Sequence, residues 1–248
     1  SLINDKTSAI ISPKSSKKDK EANFLSMKIR FLGHSCIEII GYRHIVIDPD
    51  FTTEPESGVE YICVTHGHQD HIGRLAEIST GVVIASPDVC QMAMQMGVSH
   101  HRMRPVQPGE QIANIRVLPG YSQTRGFFYR FLYFLLYRRK PEPATTPLSF
   151  LILDEASLLH IGDAHEAPLN VKPDILCLPW RKAPLFTSYY KKVLVRTARQ
   201  FQAPYVIPIH HDMPATITDT SELRRQLKSI LLDQKRWYSF HQQRLKTD

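Results

Sequence analysis

Four side chains able to hold a metal ion fall within six residues: His66, His68, Asp70 and His71, in Thr65-His66-Gly67-His68-Gln69-Asp70-His71-Ile72-Gly73. Imidazole and carboxylate together suit zinc and other borderline divalent ions. The apolar run Val59–Val64 leads into the cluster, and a helical spacing over Ile72–Ile78 leads out of it. The pattern therefore predicts a buried strand that delivers its donors to a loop at a sheet edge. A His-rich surface turn is the plain alternative. It does not account for three histidines and an aspartate placed directly after a buried strand.

The elements that must position this cluster read as follows. From Lys28 the pattern is β, with strands near Ile29–Phe31, Cys36–Ile40 and His44–Asp48 forming a meander. Asp48-Pro49-Asp50 closes it with turn chemistry. Val82–Ala85 is a short buried strand. Ser86-Pro87 then opens a helix to about Met96, with Ser86 as N-cap and Gly97 ending it. Gln111–Ala113 and Ile115–Leu118 return to β, and Leu148–Leu153 with Leu158–Ile161 reads as a hairpin. Asp174–Leu178 and Tyr205–Ile209 are further strands around a helix over Ser188–Phe201. A last helix is expected from Thr220 to about Leu232, with Leu223, Leu227, Ile230 and Leu231 as its apolar stripe. Pattern alone predicts a mixed α and β protein.

His-x-His-x-Asp-His after a strand resembles the signature of the metallo-β-lactamase fold superfamily. The resemblance extends to Met27-Lys28-Ile29-Arg30-Phe31-Leu32-Gly33-His34-Ser35-Cys36, to the Asp48-Pro49 turn, to Gly162-Asp163 and to Pro208-Ile209-His210. It covers roughly Met27 to Leu232 outside an insertion. It is closest to the branch of L-ascorbate-6-phosphate lactonase-like and N-acyl-phosphatidylethanolamine phospholipase D-like metal-dependent hydrolases. The implied fold is α/β (α+β), a four-layer αββα sandwich of two mixed sheets flanked by helices. The implied cofactor is one or two divalent ions, zinc first, with manganese or iron as alternatives.

The resemblance also implies roles. His66 and His68 would hold a first ion; Asp70, His71 and His210 a second; Asp163 would bridge them. Asp70 would also orient the attacking water, which a divalent ion acidifies toward a pKa of about 7. A further histidine for the first ion is expected after a mid-chain strand, and Ser122-Gln123 stands there instead. The expectation is thus a robust second site and a weaker first, with Ser122, His165 and His211 as substitute or accessory groups. His211 is the first choice for protonating the leaving group, and His165 the second. His34 reads as a buried, hydrogen-bonded histidine rather than a ligand.

Composition bounds the rest. The chain has 248 residues and a formal net charge of +7. That length can bury one large core, so residues 27–248 read as a single domain preceded by a flexible polar arm, residues 1–26. The four cysteines, Cys36, Cys63, Cys90 and Cys177, make no CxxC pair, which points to a reducing compartment. Ser1–Lys20 lack the apolar core of a secretory signal, and no run approaches the roughly 20 apolar residues that span a bilayer. The expected location is cytoplasmic. An insertion at about 123–147 carries the aromatic and basic stretch 126–140, which suits peripheral contact with a lipid surface or a cover over the site. No nucleic-acid-binding module is visible. The expected function is metal-dependent hydrolysis of a phosphate-containing ester, a phosphodiester of small-molecule or lipid-like kind, or a lactone. The alternative is a non-catalytic, membrane-associated metal-binding member of the fold.

Overall fold

The computed structural model describes residues 26–121, 134–135, 145–182, 187–214, 217–233, 235–241 and 244–246. Residues 1–25 of the polar arm, Ser122 and nearly all of the aromatic and basic insertion lie outside the described residues.

The chain runs β1 (Met27–Gly33), β2 (Cys36–Ile40), β3 (His44–Ile47), β4 (Tyr61–Cys63), α1 (Gln69–Ile72), β5 (Val82–Ala85), α2 (Pro87–Gln95) and β6 (Met103–Pro105). It continues through β7 (Gln111–Ile112), β8 (Ile115–Pro119), β9 (Leu148–Ile152), β10 (Leu158–His160), β11 (Ile175–Pro179), α3 (Thr187–Phe201) and β12 (Tyr205–Ile209). The last elements are α4 (Ser221–Gln226), β13 (Ile230–Leu231), β14 (Tyr238–His241) and β15 (Arg244–Lys246). One sheet has the order β15-β14-β1-β2-β3-β4-β5-β6, the other β13-β12-β11-β10-β9-β8-β7. In the first, β3 to β6 run parallel. In the second, β10 to β13 run parallel.

Successive side chains of a strand point to opposite faces, and a sheet covered on both faces reads as unbroken apolar runs. In β4, Cys63 joins the core between the sheets, where Ile37, Ile47, Phe150, Leu158, Cys177 and Ile207 meet. Its neighbour Ile62 faces outward against Leu75, Val89 and Ala93. In β11, Cys177 faces inward and Leu176 outward, against Leu194, Ala198 and Phe201 of α3. Three apolar interfaces thus separate four layers, as the αββα expectation requires. Each fully buried Ile or Leu contributes roughly 1.5–3 kcal/mol of transfer free energy to them.

Three local expectations need correction. The segment Ile72–Ile78 is not a helix: α1 ends at Ile72 and one 3₁₀ turn over Leu75–Glu77 follows, because Gly73 and the loop contacts of Arg74 interrupt a longer helix. Ser86 precedes α2 but does not cap it through its side chain; its hydroxyl donates instead to Asp88 Oδ1 at 2.6 Å. The last helix stops at Gln226, and Ile230–Leu231 pairs as a strand with Tyr205–Val206. Leu223 is buried as expected, but Ile230 is 53% exposed. An open sheet edge beside β12 out-competes a continued helix there. The hairpin of β14 and β15 extends the first sheet beyond β1 and was not anticipated.

Candidate metal centre

Parallel strands expose their carboxyl ends together, and the donors of this protein sit there. Asp48 follows β3, His66 to His71 follow β4, Asp163 follows β10 and His210 follows β12. The local backbone is bent to present them. Asp48 and His210 hold positive φ values of 51° and 62°, conformations that non-glycine residues seldom adopt outside functional sites. The His210 amide is tied to the His34 carbonyl at 2.5 Å. Gly162, at φ +57°, lets the strand end pass Thr65; a Cβ there would stand 2.9 Å from Thr65 Oγ1.

The structure brings the expected donors into two groups. His66, His68 and Asp163 form one; Asp70, His71 and His210 form the other. Asp163 faces both. Its Oδ1 lies 3.3 Å from His71 Nε2 and 3.0 Å from His210 Nε2, and its Oδ2 lies 3.7 Å from His66 Nε2. Asp70 Oδ2 is 3.6 Å from His210 Nδ1. His71 Nε2, His210 Nε2 and Asp163 Oδ1 are buried and, among the described residues, have no hydrogen bond of good geometry. Buried polar atoms are ordinarily paired, so three orphans converging on one point fit a cation held between them.

Asp48 organises the centre, a role not visible in its Asp-Pro turn. It is fully buried and accepts hydrogen bonds from the Thr65 amide (2.7 Å) and hydroxyl (2.8 Å). It also pairs with His71 Nδ1 at 2.7 Å. With the Nδ1 proton committed to Asp48, His71 turns a bare Nε2 toward Asp163. Thr65 does the same for His66: its hydroxyl proton goes to Asp48, so it accepts from His66 Nδ1 at 3.0 Å. His160 adds a further buried imidazole, 3.7 Å from Asp48 and bonded to the Ser35 carbonyl at 3.0 Å.

The electrostatics favour a cation. Burial opposes the charge on Asp163, but Arg181 and His210 outweigh it and hold the carboxyl well below the usual range. Burial likewise opposes ionisation of Asp70, and His71, His210 and Arg181 bring its pKa down. Burial depresses His66 to about 3, with help from His71, and also depresses His210, so both imidazoles stay neutral and free to ligate. His71 is pushed up instead: Asp48, Asp70 and Asp163 overcome its burial. The same negative field attracts a metal ion.

The accessory residues fall elsewhere. His211 belongs to neither donor group; its ring stacks on Phe31 at 5.3 Å and its Nδ1 donates to the Pro208 carbonyl at 2.8 Å. His165 stacks on Tyr190 at 6.0 Å and is also outside both groups. His34 is partly buried, with Nδ1 2.8 Å from Asp50. Arg181 was not singled out in the sequence. It follows β11, and its Nη2 lies 2.6 Å from Asp163 Oδ2, with Nη1 3.7 Å from Asp70 Oδ2. At the root of the insertion, Thr145 accepts the Gly67 amide at 2.9 Å, between the two histidines of the first group.

Residues 28–210 match the family described as the Beta-lactamase superfamily domain. The chain belongs to the metallo-β-lactamase superfamily. A UPF0173 protein of Pyrococcus furiosus is 32% identical over 166 residues, which span 62% of this chain and 70% of that protein. A UPF0173 metal-dependent hydrolase of Methanoculleus marisnigri is 28% identical over 215 residues, 82% of this chain and 89% of its own length. Among solved structures, Igni18, a metallo hydrolase of Ignicoccus hospitalis, superimposes with a TM-score of 0.66 at 16% identity, covering 87% of this chain and 99% of that one. A diphosphatase from the PhnP family superimposes with a TM-score of 0.56 at 16% identity, covering 87% and 98%. This superfamily member is a metal-dependent hydrolase, and its two sheets with outer helices are the superfamily's fold.

Proposed function

We propose that this chain hydrolyses a phosphate-containing ester or phosphodiester, with a divalent ion held by Asp70, His71, His210 and Asp163. The observation that carries the reading is the convergence of His71 Nε2, His210 Nε2 and Asp163 Oδ1, all buried and, among the described residues, without a hydrogen bond of good geometry. Three imidazole and carboxylate donors beside a further carboxylate suit zinc. A divalent ion there would supply a nucleophile from water at neutral pH and polarise the scissile bond. Asp48 and Thr65 keep the imidazoles in the ligating tautomer, and Ser35 fixes the loop by donating to the Asp70 carbonyl at 2.8 Å. The diphosphatase fold neighbour supports a phosphoryl substrate; a lactone is the alternative that the sequence resemblance supports. The four buried free thiols support a reducing compartment.

The test is turnover of bis-p-nitrophenyl phosphate and p-nitrophenyl phosphate by protein stripped with chelator and reloaded with zinc or manganese. Metal-dependent release of nitrophenol, lost in Asp70→Ala, is expected. Hydrolysis of a lactone panel with no turnover of either phosphate ester would reject the phosphoryl reading.

A further inference from the structure

We propose that Arg181 stands in for one of the two ions this donor array could hold, so that the chain binds a single ion at Asp70, His71, His210 and Asp163 Oδ1. The guanidinium then serves as a fixed cation that receives an anionic oxygen of the substrate. The inference rests on the reading of that second group as a metal site.

Asp163 shows the division. Its Oδ1 faces His71 and His210 and, among the described residues, has no hydrogen bond of good geometry. Its Oδ2, the oxygen nearer His66, is bonded to Arg181 Nη2 at 2.6 Å. Among the described residues, the first group offers His66, His68 and this one committed oxygen. Its facing nitrogens, His66 Nε2 and His68 Nδ1, also lie within hydrogen-bond distance of each other at 3.0 Å. In the second group the close approaches are those of His71 Nε2 and His210 Nε2 to Asp163 Oδ1, and Arg181 stands farther off, with Nη1 3.7 Å from Asp70 Oδ2.

Arg181 is built into this position. The preceding Trp180 is fully buried, its indole donates to the Asp219 carbonyl at 2.9 Å, and its amide donates to the Ile209 carbonyl at 2.8 Å, one residue from His210. The guanidinium therefore leaves an anchored backbone and reaches toward both Asp163 and Asp70. A lysine or histidine could yield to an incoming ion by losing a proton; arginine cannot. Two ions beside the guanidinium would crowd three cations against Asp163 and Asp70. One ion and the guanidinium share them. The Arg181 side chain is 26% exposed, and its planar fork matches the oxygens of a phosphoryl or carboxylate group.

The test is metal content by inductively coupled plasma mass spectrometry on the full chain, saturated with zinc and then desalted. One equivalent per chain is expected for the wild type and two for Arg181→Gln. Two equivalents in the wild type would overturn the inference, whatever the variants do. One equivalent in both wild type and a folded Arg181→Gln would also overturn it, because ligand shortage alone would then limit the first group. No zinc in the wild type would instead remove the metal-site reading on which the inference stands.

Discussion

The two donor groups meet at Asp163, and each takes two residues from the stretch after β4, yet they are prepared differently. In the second, His71 is oriented by a buried carboxylate and its Nε2 is left bare, as is that of His210. In the first, His66 and His68 face each other at 3.0 Å, and the shared carboxylate turns its nearer oxygen to Arg181. Matching residue types are therefore not matching sites. What distinguishes a ligand is that its partners have left it one free lone pair, aimed at a common point.

The sharpest way to break this comparison is to delete one imidazole from each group. His71→Ala is expected to lower kcat/KM by on the order of 10³-fold, the scale of losing a main electrostatic stabiliser. His68→Ala is expected to stay within about tenfold of wild type. Equal losses in steady-state assays of the two variants would erase the asymmetry. A smaller effect tests the cause of the second group's order. Asp48→Asn should weaken zinc affinity by roughly 10–100-fold, the usual cost of removing the partner that orients a ligating histidine. Competition with a chromophoric chelator measures it, and an unchanged affinity would show that Asp48 only supports the fold.

The smallest effect separates the centre from its scaffold. Glu38 is fully buried between Arg30 (2.6 Å), His44 (2.9 Å) and the Glu56 amide (2.6 Å). Burial opposes its charge, but these partners prevail and hold its pKa below 4.5. A depressed carboxyl stabilises the fold above its unfolded pKa and loses that contribution as pH falls through the folded value. Glu38→Gln should thus cost about 1–3 kcal/mol at pH 7, with the gap to wild type narrowing below about pH 4. Zinc content should not change. Urea melts at both pH values would show this, and a gap that widens in acid would contradict it.

Much of the centre was legible because its donors announce themselves by type. His66, His68, Asp70 and His71 stand in one run, and Asp163 and His210 each follow an apolar strand. Asp48 also ends a strand, but Asp-Pro reads first as a turn, and only the parallel pairing of β3 with β4 brings it under Thr65 and His71. Arg181 escaped for a related reason. Acids and histidines after a strand point to a metal, whereas Trp-Arg-Lys after an apolar strand reads as a solvated basic turn. The C-terminal region failed on periodicity: Leu223, Leu227, Ile230 and Leu231 satisfy a helical stripe, whereas the free edge of β12 that captures the last two is a tertiary fact.

The donors reach one point from strand ends on two different sheets, and this has a mechanical consequence. His71 rides on the first sheet, while Asp163 and His210 ride on the second. Any ion gripped by all three is a clasp between the two plates. Filling the centre should stiffen the seam at this rim more than at the opposite one, and neither plate alone could carry the ion.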